Sequence, residues 1–221
     1  ISLDENEPRC GKVIMKKEVQ HPIPGNFDIE IGLICFVANI VAVIVYQTVI
    51  SELIPPAVQI DFNAITEVIP ARAYTFAVNI APFIIPFILV IWYSNPFAAF
   101  VRRARRGNVG IPSEKVMRRL VNMPFMVSLL STAGWLSAFL IICGLTLASR
   151  RMNPSGFMHF FIVNFVSFGT TAVQCFVMTY YLLDHLTRKK YIPYYFPAGG
   201  LSRIKGAIRL PVHARFHILA T

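Results

Sequence analysis

The chain has 221 residues, of which 55% are hydrophobic and only 14% charged, and it carries a formal net charge of +10. With a mean hydropathy of +0.58, that balance excludes an ordinary water-soluble globule and puts an integral membrane class first. The basic surplus does not point to nucleic acid, because the bases flank apolar runs instead of gathering on one exposed face; attraction to anionic lipid headgroups accounts for them.

The N-terminal segment, residues 1–26, mixes four acids (Asp4, Glu5, Glu7, Glu18) with four bases (Arg9, Lys12, Lys16, Lys17) and has no secretory leader pattern. It does not begin with Met, and both ends read as cut from a longer protein. Its last residues, HPIPGNFDIE, place prolines before Asn26, which is expected to cap a helix whose first turn carries Asp28 and Glu30 toward the positive end of the helix dipole. A first span follows over about Phe27 to Ile50, rich in Ile and Val.

The connection ELIPPAVQIDFNAITEVIPARAY is broken by Pro55, Pro56 and Pro70 and reads as a shallow loop. The second span contains APFIIPF, where Pro82 and Pro86 each remove a backbone donor and are expected to kink the helix. Trp92 and Tyr93 mark a headgroup level ahead of the basic loop RRARRGNVGIPSEKVMRR. In the third span Ser131, Gly134 and Ala138 share a face that admits a close neighbour. Asn122 and Pro124, near its start, suggest a broken first turn in contact with a loop.

The fourth span holds the densest polar pattern: Asn164, Ser167, Thr171, Gln174 and Met178 recur at helical spacing and lie on one face. That stripe is either static interhelical bonding or a ligand-facing surface. Each of the four spans reaches the roughly 20 residues that cross a bilayer, and none has a charge in its uncharged run, from Ile31 in the first to Leu183 in the fourth. The four cysteines, Cys10, Cys35, Cys143 and Cys175, form no CxxC pair, and three lie in the spans, so packing is their expected role.

The segments around the spans carry in turn four, one, seven, two and seven Lys and Arg residues. By the positive-inside rule this alternation predicts a multi-pass membrane protein with both termini and the middle loop in the cytoplasm.

Chemistry is sparse. No phosphate-binding loop, dinucleotide fingerprint, HExxH or GxSxG motif occurs, and Ser155 in SRRMNPSGF has no partner base, so no catalytic residue, cofactor site or metal site is expected here. His159 has no second ligand at metal spacing. A cation-coupled transporter ordinarily needs an ionisable group inside the bundle, and no Asp, Glu, Lys or Arg occurs in the fourth span before Asp184. A neutral-solute transporter or channel that uses Asn164 and Gln174 stays open.

The order of motifs is more specific than any one of them. NPFAAFVRRARR, then RRLVNMPFMVSLLSTAGWL, then a span ending YYLLDHLTRKKYIPYYFPAGGLSRIKGAIRLPVHARFHILA, resembles the multi-pass N-terminal sensor region of bacterial class III adenylate/guanylate cyclases. The resemblance falls on Asn122, Met123 and Pro124; on Gly134 and Trp135; on Asp184; on Arg188 to Lys190; on Phe196, Pro197, Gly199, Leu201 and Ser202; and on Arg215. Met123 stands where Leu is usual and Ala198 where an acid is expected. The match covers about Asn95 to Thr221, and the first two spans by hydropathy alone.

That bacterial resemblance implies a six-helix module of the cell inner membrane feeding a HAMP linker and a cyclase domain in the same chain, homodimeric at full length. The downstream domain would use Mg or Mn with ATP or GTP; similar modules also precede histidine kinases, and a membrane anchor without sensing is a further alternative.

The expected architecture is thus an all-α integral membrane helix bundle of four transmembrane helices plus the start of a fifth. It comprises an N-terminal segment (1–26), a four-helix region (27–184), an interfacial connector (185–212) that includes Phe196, Pro197, Gly199, Ser202 and Arg203, and residues 213–221 as the opening of the fifth helix. In the connector Tyr191, Tyr194 and Tyr195 are expected at the lipid interface.

Overall fold

Four long helices account for nearly all of the residues that the computed structural model describes, which are 26–55, 70, 72–73, 76–77, 80–107, 112–148, 154–195 and 206. Helix α1 spans Phe27–Val45 and runs on through a wider π turn, Tyr46–Ile50, to Leu53. Helix α2 is Ala81–Arg105, α3 is Glu114–Ala148, and α4 is Pro154–Leu186, continued by a π turn at Thr187–Tyr191 and a last helical turn at Ile192–Tyr195. All four are long and apolar enough to cross a membrane, and no strand occurs among the described residues. The connector residues from Phe196, apart from Gly206, and the expected fifth helix at 213–221 lie outside the described residues.

Local chemistry explains most helix ends. Asn26 stands at the N-cap of α1 with extended backbone, but its side chain makes no capping bond. Its Oδ1 accepts instead from Arg105 at the end of α2, while its carbonyl takes the Glu30 amide at 3.0 Å. Pro82 opens α2 instead of kinking it: it lies in the first turn, where a missing N–H costs nothing. Pro86 and Pro96 are the interior prolines. Arg102, Arg103 and Arg105 complement the negative end of the α2 dipole. Gly107, at φ 83°, then adopts the left-handed cap conformation, with its amide on the Ala104 carbonyl at 3.1 Å. Ser113 caps α3 through its hydroxyl, which accepts the Val116 amide. The helix then runs unbroken through Pro124, so the expected break near Asn122 does not occur.

The helices pack in the order α1, α4, α3, α2, with the contact between α1 and α2 sparser than the other three between neighbours in that order. Two layers of core lie between them. At the end rich in Arg and Lys, the basic end, Phe27, Ile31, Val90, Phe97, Ala98, Val101, Leu120, Met123, Leu183 and Tyr191 are buried together. The opposite layer contains Ala38, Ala42, Trp135, Phe139, Phe160, Phe168, Ala172 and Cys175, and no fully buried residue of α2. Only Phe83 reaches it from that helix, half-buried against Trp135 with ring centroids 5.9 Å apart. Hence most of the buried side chains of α2 lie at the basic end, and toward its start it buries Pro82 and Pro86 and half-buries Phe83.

Small residues set the spacing. Ala38 and Ala42 of α1 are buried in one cluster with Ala172 and Cys175 of α4, small side chains that let the two backbones approach closely. On α3, Ser131, Gly134 and Ala138 are buried together as expected. A Cβ added at Gly134 would stand 2.6 Å from the Phe83 ring. Outward, Leu33, Ile85, Ile88, Val166 and Val173 are exposed, the surface that a lipid solvent covers.

Gly134→Leu is therefore expected to destabilise the protein by about 1–3 kcal/mol through overpacking. Adding Phe83→Ala in the same chain should recover much of that loss. Unfolding of the single and double variants in detergent micelles measures both; an undiminished loss in the Phe83→Ala background would place the crowding elsewhere.

Candidate functional site

Two polar junctions interrupt the apolar packing, one in each layer. The first joins the start of α1 to the end of α4. Glu30 is one turn into α1, and its carboxylate accepts from the Lys190 ammonium and, at 2.6 Å, from the Tyr191 hydroxyl, both in the π turn that ends α4. Tyr191, expected at the lipid interface, is fully buried against protein. Its ring meets Phe27 edge-on at 4.7 Å and Phe97 at 5.7 Å, and Phe27 meets Phe97 at 4.5 Å. Three helices are tied at this point: α1 by Phe27 and Glu30, α2 by Phe97, α4 by Lys190 and Tyr191.

Around this junction lie weaker, wetter pairs. Arg102 donates to Asp28 at 2.7 Å and to Asn95 at 3.1 Å, with both partners of the ion pair 52% exposed. Arg188 donates to Asp184 at 2.8 Å, one turn back on α4. Arg119 of α3 lies over the rings of Trp92 and Tyr93, 5.3 and 5.4 Å from their centroids, and donates to the Tyr93 carbonyl. Asn122 donates to the Gly206 carbonyl at 3.1 Å, which brings the start of α3 against the connector.

The second junction centres on Asn39, near the middle of α1. Its Oδ1 accepts from Trp135 Nε1 of α3 at 3.0 Å and from the Cys175 thiol of α4 at 3.6 Å. Its Nδ2 donates to the Cys35 carbonyl at 2.8 Å. One amide thus ties α1 to two other helices inside the apolar region, at a benefit of about 0.6–2 kcal/mol per contact. Trp135 is wedged among Tyr46, Phe83 and Phe168.

Beside Asn39 the thin contact between α1 and α2 opens into a cleft of about 450 Å³, lined by Gly32, Cys35, Phe36, Asn39, Ile40 and Val43 of α1 and by Phe83, Ile84 and Phe87 of α2. Asn39 is its polar side chain.

The polar stripe of α4 lies elsewhere. Asn164, Ser167 and Thr171 are buried and hydrogen-bond to carbonyls of their own helix, those of Phe160, Val163 and Ser167, at 2.9–3.0 Å. Gln174 is half-buried. None of the four lines the cleft. Of the expected connector residues, Asp184 is described, paired with Arg188, while Phe196, Pro197, Gly199, Ser202 and Arg203 lie outside the described residues. His159 is exposed, and among the described residues no group of His, Cys, Asp and Glu is arranged to hold a metal.

Sequence reasoning missed Glu30, Asn39 and Tyr191 as cross-helix partners. One signal was present: Glu30 and Asn39 are polar side chains of α1 that fall among its apolar residues, where a polar group needs a protein partner.

The arrangement defines a multi-helix protein suited to a lipid bilayer. Comparison with family models, curated proteins and solved structures finds no match for the chain.

The two kinds of ion pair should separate in double-mutant cycles of unfolding in micelles. Glu30→Gln with Lys190→Met is expected to show about 1–3 kcal/mol of coupling. Asp28→Asn with Arg102→Met should show less than about 1 kcal/mol, because both groups are half in solvent. Equal couplings would mean that partial burial does not distinguish them.

Proposed function

We propose that this chain is the membrane input module of a bacterial signalling protein, a sensor region that feeds an adenylate or guanylate cyclase domain in the same polypeptide. The observation that carries the reading is the grip of Glu30 on Lys190 and Tyr191. It attaches the start of α1 to the last turn of α4, so a shift of α1 relative to its neighbours reaches the segment that leaves the bundle. The π turn at Thr187–Tyr191 adds to this, since such insertions in α-helices recur where a helix changes register or carries function.

The motif order from Asn95 onward supports the cyclase as output. In the structure several residues of those motifs occupy packing positions: Gly134 against Phe83, Trp135 on Asn39, Met123 in the basic-end core, Asn122 on Gly206. In this reading the module sits in the inner membrane with its basic end cytoplasmic, dimerises at full length, and passes its change of packing through a HAMP linker. The metal, Mg or Mn, and the nucleotide, ATP or GTP, belong to the downstream domain.

A two-state bundle responds to anything that binds one packing more tightly than the other. A transporter reading draws no support from the α4 stripe, whose buried members bond to their own helix.

Expression of the full-length gene in a cyclase-deficient host tests the proposal by cyclic nucleotide content. Glu30→Gln is expected to change output while Asp28→Asn leaves it near wild type; a loss of about 1.4 kcal/mol from one packing shifts the ratio of packings about tenfold. No cyclic nucleotide from a well-expressed full-length protein would refute the cyclase reading. Unchanged regulation after replacing α1 to α4 by an unrelated bundle would make the region an anchor. Reporter fusions after Arg106 and after Leu53 are expected to report cytoplasmic and external locations respectively.

A further inference from the structure

The cleft between α1 and α2 has three properties that together select a ligand. Its volume, about 450 Å³, is that of a small-molecule site. Its walls are the apolar side chains Phe36, Ile40, Val43, Ile84 and Phe87. Its polar feature is Asn39, whose carboxamide is fixed by Trp135, Cys175 and the Cys35 carbonyl.

Those bonds use the Oδ1 of Asn39 and one of its two amide hydrogens. The second Nδ2–H has no acceptor among the described residues. A donor left over beside an apolar cleft seeks an acceptor, and in lipid no water supplies one.

Depth narrows the choice. Asn39 lies about 18 Å along the helix axis from Phe27, at about 1.5 Å per residue. That is near the middle of a hydrocarbon layer of about 30 Å. An ionised headgroup is strongly disfavoured there. A phospholipid keeps its ester groups at the interface, so at this depth it offers only methylenes and leaves the amide hydrogen unmatched.

We propose that this cleft binds an uncharged, chain-like lipophile bearing a carbonyl oxygen, with the chain between α1 and α2 and the oxygen on the remaining Nδ2–H of Asn39. The same amide holds Trp135 and Cys175, so an occupant of the cleft pulls on the link between α1 and the helices α3 and α4. A role for this ligand as the sensed signal rests on the reading of the chain as an input module; the binding itself does not.

The test is photolabelling of the purified chain in nanodiscs of phosphatidylethanolamine and phosphatidylglycerol. The probe is a long-chain methyl ketone with a diazirine near the far end of its chain, and adducts are mapped by mass spectrometry. Adducts are expected on Phe36, Ile40, Ile84 or Phe87. Undecan-2-one should compete about tenfold better than undecane, the preference conferred by one hydrogen bond in a dry site.

Two variants sharpen the result. A Cβ added at Gly32 meets no atom within 4 Å, so Gly32→Leu extends a branched side chain from open space on the cleft wall and should abolish the specific adducts. Asn39→Leu should keep labelling but bring the two competitors level. If Asn39→Leu loses its helical circular dichroism, Gly32→Leu and the wild-type competition ratio decide alone. Adducts spread evenly over lipid-facing Ile85 and Trp92, labelling untouched by Gly32→Leu, or equal competition by ketone and alkane in the wild type would each overturn the proposal. None of these readouts needs an output domain, so a failed site and a failed input-module reading are told apart.

Discussion

A carboxylate one turn inside an apolar helix cannot be left to lipid, and the rest of this structure depends on how Glu30 is satisfied. Lys190 neutralises it and the Tyr191 hydroxyl completes its hydrogen bonding. Both donors come from the far end of the chain's fourth helix, so the charge at the start of α1 determines which part of α4 lies beside it. Once Tyr191 is drawn inward, its ring closes on Phe27 and Phe97, and α2 is gathered into the same knot. The basic end is thereby the tightly specified end of the bundle, held by charge, hydrogen bond and edge-on aromatic contact together.

The consequences are felt in the other layer. Most of the buried side chains of α2 lie at the basic end, and nearer its start its exposed Ile84 and Phe87 face α1 across the cleft. That opposite core is instead closed by α1, α3 and α4, where Ala38, Ala42 and Ala172 permit close backbones and Asn39 bridges to Trp135 and Cys175. For an input module this arrangement is useful, since a ligand between α1 and α2 and a grip at the basic end act on the same element, α1, from opposite ends.

Much of this was legible in the residues. The four spans, the close approach at Gly134 and the shared burial of Ser131 and Ala138 follow from hydropathy and small-residue spacing. Other features were visible with the wrong partner attached. Asp28 and Glu30 suit the N-terminal dipole of α1, yet they pair with Arg102 and Lys190 across the bundle. Asn26 suits an N-cap, yet its side chain takes Arg105. Tyr191 suits an interface, yet it is buried. In each case local chemistry offered a partner within the same turn, and a charged or aromatic group from another helix competed better for the same side chain.

The sequence by itself determined that the chain forms four long apolar helices and which face of α3 and α4 is turned inward. Those properties come from interactions within a turn or two of each helix and from the cost of leaving polar backbone in lipid, which every window of the chain carries on its own. Only the tertiary structure decided that α1 lies against α4, that Glu30 meets Lys190 and Tyr191, that Asn39 meets Trp135, and that a cleft remains between α1 and α2. Hydropathy is nearly the same on every side of a membrane helix, so it does not say which neighbour a side chain will face. That choice is made by shape and by the few polar groups that must find one another once the helices are together.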